Sequence, residues 1–304
     1  MKPTSTTEEF TIVSAPAPAF DAGNPSADCI ADSAGGLTFD LDAPHGTDAA
    51  AHWSGALVLR PRGAEDESAD VLLPLAPTGE GRLRAVLPST VALPEGRWDV
   101  HVASGEEPPR RLLPGLADLR SLVDRRPGPS TSPLAVRIPY ATRHGNLSLR
   151  SWLRGPHAEA GDVHVGDGTL TVCGTLYRVE DAAAWLAGAA VEARLRRDPA
   201  VRVAAAVTAG GDQDRADFSA VLPWAALGEH WHGGTDVWDL WLCRGAGEEE
   251  VRIARLLDDV ADKRHVFVYP ARSLSTTGAP AQAIPCYTCD NDLSVRVEER
   301  PPVG

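Results

Sequence analysis

Two runs of thirteen residues constrain this chain more than any other feature. Ile138 to Arg150 reads IPYATRHGNLSLR, and Ile284 to Arg296 reads IPCYTCDNDLSVR. Aligned without a gap, they share Ile, Pro, Thr, Leu, Ser and Arg at the same places. Shorter matches follow in the same order. LRAVLP (83–88) answers FSAVLP (218–223), and RWDVHV (97–102) answers VWDLWL (237–242). AAHWSGALV (50–58) answers AAAWLAGAAV (182–191) once one residue is inserted. Collinear matches with uneven spacing describe one unit written twice with loops of different length. The expected organisation is a flexible lead-in over 1–33, rich in Pro, Ser, Thr and Ala, a first unit over 34–152, a linker over 153–161 and a second unit over 162–304.

The unit reads as β. In WDVHV and WDLWL, period-2 alternation puts Trp98, Val100 and Val102, or Trp238, Leu240 and Leu242, on one face. GGLTFDLDA, GALVLRPR, ADVLLPLAP and GRLRAVLP are short runs parted by Gly, Pro and acidic residues. GTLTVCGTLYRVE, AAVEARLRR, VRVAAAVTAG and ADFSAVLP repeat the scheme. Short strands with turn signals between them predict an all-β chain: two tandem Ig-like β-sandwich domains from an internal duplication. A short helical crossover is expected after each AVLP. The stretch 114–124 allows a helix, and 248–262 is read as a strand followed by a loop. Both closing runs are expected to form a strand, a turn and a second strand that completes a sheet.

Charge and cysteine usage narrow the partners. A formal net charge of -13 disfavours nucleic acid and anionic membrane surfaces, which need clustered Lys and Arg. The polar start MKPTSTTEEF has no apolar run behind it, and no run of about 18 apolar residues occurs elsewhere. Five cysteines, an odd number, fit reduced thiols. The expectation is a cytoplasmic protein. Two lysines against many arginines, with the Ala, Gly and Pro bias, suggest a high-GC, actinobacterial genome.

The order AVLP … WDLWL followed by IP-x-x-T and an LS-x-R strand resembles the β-sandwich accessory repeats of actinobacterial wall-polymer transferases, the CDP-glycerol glycerophosphotransferase and glycosyltransferase proteins. The resemblance covers most of residues 34–299 and rests on short structural motifs. It implies a role beside a nucleotide-dependent catalytic domain. Nothing left over here is large enough to be that domain, and no Gly-rich phosphate loop is present.

Residues that suggest chemistry are few. Trp53, Trp98, Trp185 and Trp238 recur in both copies and are expected in the cores. Trp224, Trp231 and Trp241 belong to the second copy alone, and Trp241 alternates away from Trp238 onto the outer face. Exposed Trp there would stack on a sugar or meet a protein partner. His230 and His232 in GEHWHGG face the same way if extended, a weak metal pair with His164 or Asp236 as third ligand. Cys286 and Cys289 form one CxxC in a β context, where positions i and i+3 diverge unless a turn intervenes. Asp290 to Asp292 begins like a calcium loop but lacks the glycine and distal acid. Asp99 and Asp239, each after a core Trp, are expected to hold an arginine such as Arg150 or Arg296.

Two functions remain open. One is a non-catalytic binding or scaffolding protein without a cofactor, recognising a glycan, a polyol-phosphate intermediate or a biosynthetic partner enzyme. Trp224, Trp231, Trp241, His230 and His232 would make its contact surface. The alternative is a secondary-metabolism enzyme, a cyclase, hydrolase or transferase, with a pocket between the copies flanked by Tyr140, His144, Tyr287 and Asp290. A deep pocket with converging titratable groups favours the enzyme, and a shallow aromatic face favours the binding module.

Overall fold

The computed structural model describes residues 23–44, 55–79, 81–105, 107–123, 125–128, 130–210, 216–245, 249–276 and 279–301. Strands dominate, as expected for an all-β chain. The first unit contains β1 (Ser26–Ala31), β2 (Leu37–Asp42), β3 (Gly55–Pro61), β4 (Val71–Pro74), β5 (Ala76–Gly79) and β6 (Arg82–Leu87). It continues with β7 (Gly96–Ser104), β8 (Arg110–Arg111), β9 (Leu113–Asp118), β10 (Leu134–Ala141) and β11 (Leu147–Arg154). The second unit opens with β12 (His157–Val165), β13 (Thr169–Tyr177), α1 (Ala182–Leu186), β14 (Ala190–Leu195), β15 (Arg202–Gly210) and β16 (Asp217–Pro223). It ends with α2 (Trp224–Gly228), β17 (Asp236–Cys243), β18 (Glu250–Ala254), β19 (Arg272–Leu274), β20 (Ala281–Tyr287) and β21 (Leu293–Glu299).

The strand pairing of one unit is repeated in the other. Trp98 of β7 lies opposite Leu149 of β11, and Trp238 of β17 lies opposite Val295 of β21. Ile138 lies opposite Arg150, and Ile284 opposite Arg296. Thus the two closing runs are antiparallel hairpins held in one register against the two WD strands. The turns agree as closely. Thr142 N–H donates to Asn146 O at 2.8 Å, as Thr288 N–H does to Asp292 O at 2.8 Å. Gly145 and Asn291 both take positive φ, 76° and 61°, a region where Asn is the usual substitute for glycine.

Two stacked sheets are expected for each unit, and the second departs from this. Its strands run β14-β15-β16-β13-β12-β18-β17, and β17 pairs back onto β14, closing a barrel that carries β21, β20 and β19 on its flank. Closure follows from two strands that change partner along their length. The first half of β15 pairs with β14 and the second half with β16, while β18 pairs with both β17 and β12. In the first unit the counterparts of these bridging strands are broken. β4 pairs with β3 and β5 with β6, parted by buried Leu75; β8 pairs with β7 and β9 with β1, parted by buried Leu112. The result is two sheets, β5-β6-β2-β1-β9 and β10-β11-β7-β3-β4, in place of one.

Other boundaries are corrected. The lead-in ends before residue 33, because Ser26–Ala31 sits between β2 and β9 with Ala27, Cys29 and Ala31 buried. Residues 153–161 are no loose linker, since β11 runs to Arg154 and β12 begins at His157. The stretch 114–124 gives β9 and a single 3-10 turn at Arg120–Leu122. The helical crossover forms only in the second unit, as α2. The upstream match is displaced by one residue: Leu57 stands opposite Val102 as Val191 stands opposite Leu242, so Leu57 and not Val58 corresponds to Val191. Trp53 lies outside the described residues.

Each unit has its own apolar core, and the units are not independent. Phe39, Trp98, Leu149 and Trp152 fill the first; Val172, Trp185, Trp238 and Leu240 fill the second. Ala254 at the end of β18, and Leu256 and Leu257 just beyond it, belong to the second unit but are buried in the first unit's core. Glu159 fixes that segment by accepting from Leu256 N–H at 2.9 Å and Leu257 N–H at 3.0 Å.

Candidate functional site

An arginine-rich cleft lies where the two units meet. It encloses 620 Å³ and is lined by Arg62 from just beyond β3, Arg97 and Asp99 from β7, Arg111 from β8, the Tyr140–Asn146 turn and Arg150 from β11. The second unit contributes Ala261, Asp262, Arg264 and Cys289. Six guanidinium groups, those of Arg62, Arg97, Arg111, Arg143, Arg150 and Arg264, therefore face two lining carboxylates in a protein whose net charge is -13.

Asp99 organises one wall. Strand alternation buries Trp98 and turns Asp99 to the opposite face, where β3, β8 and β11 deliver its partners. Its Oδ1 accepts from Arg62 Nη2 at 2.7 Å and from Ser148 Oγ at 2.9 Å, and its Oδ2 pairs with Arg111 Nη1 at 2.5 Å. Burial alone would raise the Asp99 carboxyl. Donors from Arg62, Ser148 and Arg111 outweigh it and hold the group below its ordinary value. Arg97 and Arg143 make no ion pair among the described residues. Both present donors in the planar fork that suits phosphate or carboxylate oxygens.

The second unit builds the same arrangement and uses it differently. Asp239 Oδ1 accepts from Arg196 Nη2 at 2.6 Å, Arg252 Nη2 at 3.2 Å and Ser294 Oγ at 2.9 Å. Arg252 also faces Asp292 at 3.6 Å and lies over the Trp241 ring, 5.1 Å from its centre. The sequence pattern predicts an arginine such as that of the LS-x-R strand beside each Asp. Instead the Ser of that strand is the partner, and the arginines come from the strands on either side. Arg150 turns to Asp290, and Arg296 pairs with Glu298 at 2.8 Å.

The second closing turn docks on the first unit. Asp290 pairs with Arg150 and its carbonyl accepts from Trp152 Nε1 at 3.0 Å, while Asp292 pairs with Arg154 at 2.9 Å. Burial works against the charged form of Asp290, yet the Arg150 pairing keeps its pKa lowered. Asn291 is fully buried, and its carbonyl accepts from Arg255 N–H at 3.0 Å.

The aromatic face expected on the second unit does not form. Trp224 and Trp231 are 2% and 5% exposed, and their indole N–H groups donate to Gly166 O and Gly234 O at 2.9 and 3.1 Å. Both pack α2 and its following loop against the core. Trp241 does face outward, but Arg194 and Arg252 both lie over its ring, 5.0 and 5.1 Å from its centre. His230 packs on Trp238 with ring centres 5.9 Å apart, and His232 is exposed. Asp236, a candidate third ligand, is occupied by Arg197 at 2.6 Å. No group of three or more His, Cys, Asp or Glu placed to hold a metal occurs among the described residues.

The residues of the alternative reading fare better. Tyr140 and His144 line the cleft, and Asp290 stands behind Arg150. Tyr287 does not join them, because it is 3% exposed within the second core, with Phe267 edge-on at 5.7 Å. Cys289 reaches the cleft on its turn, while Cys286 stays on β20.

No family model matches this chain, and no curated protein does. Solved structures do. S. aureus TarS aligns over 65% of this chain and 35% of its own length, with 14% identity and a TM-score of 0.29. A TarS fragment, 217–571, aligns over 66% of this chain and 56% of its own, with 13% identity and a TM-score of 0.30. This chain therefore spans little more than half of one and about a third of the other.

No motif in the sequence marks Arg62, Arg97, Arg111, Arg143 or Arg264 as functional. Arg62, Arg111 and Arg264 lie in the basic runs LRPR, PRRL and ADKRH, whereas Arg97 and Arg143 stand alone in EGRWD and ATRHG, and only the fold brings them together.

Proposed function

We propose that this is a non-catalytic binding protein whose inter-unit cleft holds an anionic, hydroxyl-rich small molecule: a polyol phosphate or a phosphorylated glycan. The observation that carries the reading is the convergence of six arginines on one cleft in an otherwise acidic protein. Guanidinium forks bind phosphate oxygens in pairs, and Tyr140, Thr142 and Asn146 supply hydroxyl and amide groups suited to a polyol. The resemblance of the repeats to accessory parts of wall-polymer transferases supports the same ligand class, with a biosynthetic enzyme as protein partner and the cytoplasm as compartment. It also favours an origin of the two units by duplication of an Ig-like domain. The enzymatic alternative keeps Tyr140 and His144 in the cleft, but among the described residues no hydrogen bond joins His144 to Tyr140, Thr142 or Cys289.

Titration calorimetry with glycerol phosphate, inorganic phosphate and glycerol tests the reading. The two phosphates are expected to bind, more weakly as salt rises, and glycerol alone is not. Arg143→Glu should reduce phosphate binding about tenfold or more without lowering the melting temperature. If neither phosphate binds at low ionic strength, the proposal fails.

A further inference from the structure

The two units carry the same Asp–Ser–Arg–Arg arrangement in surroundings of opposite charge. Register makes the comparison residue by residue. Where the first unit has Arg97, Arg143, His144 and Asn146, the second has Val237, Cys289, Asp290 and Asp292. Around Asp99, Arg62 and Arg111 are joined by two further arginines that have no ion pair among the described residues. Around Asp239, Arg196 and Arg252 meet one more carboxylate, Asp292, and Trp241 covers Arg252. The residue matching Trp241 in the first unit is His101, since His101 stands opposite Arg111 as Trp241 stands opposite Arg252. The side chain of Arg111 is 25% exposed and that of Arg252 is 14% exposed.

From this we infer that only the first arrangement recognises the ligand anion: Arg97 and Arg143 take its oxygens, and Asp99 is a positioning residue that fixes Arg62 and Arg111 beside them. The second arrangement, around Asp239, is structural. This assignment rests on the anion-binding reading of the cleft and says which of two matching sites performs it. Asp99 has a physical reason to act this way. A long guanidinium side chain loses rotamer freedom on binding an anion, and a carboxylate that already holds two of them removes that cost beforehand. Each arginine keeps donors beyond the ones Asp99 uses. Arg62 engages Asp99 through Nε and Nη2, shares Nη2 with Ser148 at 2.9 Å and also bonds Tyr140, so its side chain is held from several sides.

Three variants of the full chain test the inference, each titrated with inorganic phosphate and glycerol phosphate and each melted alone. Arg97→Val with Arg143→Cys gives the first site the second site's residues, and should weaken phosphate binding at least tenfold while the melting temperature stays as in the parent. Asp99→Asn should weaken binding and destabilise. Asp239→Asn should destabilise comparably and bind phosphate as the parent does. Parent-like binding in the Arg97→Val, Arg143→Cys protein overturns the assignment, as does equal loss of affinity in the Asp99→Asn and Asp239→Asn proteins. Absence of binding in the parent itself overturns the cleft reading, and the assignment with it. Because the double variant changes one half-buried and one exposed side chain, its result does not depend on a destabilised fold.

Discussion

At the scale of single residues, Trp241 shows how a correct pattern leads to a wrong use. Alternation along β17 places it on the outer face, and the structure agrees. An outer face is open to a ligand only if no neighbour folds across it, and here two arginines do. Strand periodicity reports the direction of a side chain but not the reach of the long side chains beside it. Each arginine over the indole contributes on the order of 0.5–1 kcal/mol. Trp241→Ala is expected to lower stability by about 1–3 kcal/mol in a denaturant titration and to leave phosphate affinity unchanged. Ser148 and Ser294 are the opposite case, two small residues with large expected effects. Both are fully buried, and each donates to its Asp at 2.9 Å. Alanine at either position should cost about 1–3 kcal/mol, because a half-buried carboxylate and its arginines lose a shared, fully buried partner. Only Ser148→Ala should also weaken anion binding.

At the scale of elements, the repeated hairpins were legible because their physics is local. Thr142 and Thr288 each accept, through Oγ1, the N–H four residues on, at 3.1 and 3.2 Å. Gly145 and Asn291 are the two residue types that best tolerate the left-handed conformation both turns need. Strand positions followed from alternation in the same way. Closure of the second barrel was not legible, since it depends on which edges meet across 40 or more residues: β14 at Ala190–Leu195 joins β17 at Asp236–Cys243. Nor was the cleft, whose lining comes from separate strands and both units. Gly174 in β13 is a test of the packing inside that barrel. A Cβ there would meet Glu159 O and Phe218 Cζ, both at 2.6 Å, and Phe218 is buried. Gly174→Ala is expected to cost about 1–3 kcal/mol, measured by chemical denaturation, although alanine suits a strand better than glycine does.

At the scale of the whole molecule, the acidic second turn joins the units through Arg150 and Arg154. Asp290→Asn with Asp292→Asn should loosen that junction, raising proteolytic susceptibility between Arg154 and His157 before either core unfolds. Acid should act in the same direction. Asp99, Asp239 and Asp290 all titrate below the ordinary Asp value of 3.8 in the folded chain. The unfolded chain therefore binds protons first as pH falls. Stability from these groups is fully present well above pH 3.8 and is lost as pH drops through their folded values. The contribution of these three carboxylates should be level between pH 6 and 5, and denaturation midpoints should fall steeply below about pH 4. A further consequence follows from Ala254, Leu256 and Leu257 lying in the first core. A ribosome that has finished β11 at Arg154 must still make roughly a hundred residues before those three emerge, about 5–20 s at ordinary synthesis rates. Through that interval the nascent first unit lacks part of its own interior, so the N-terminal half waits on the C-terminal half to become watertight.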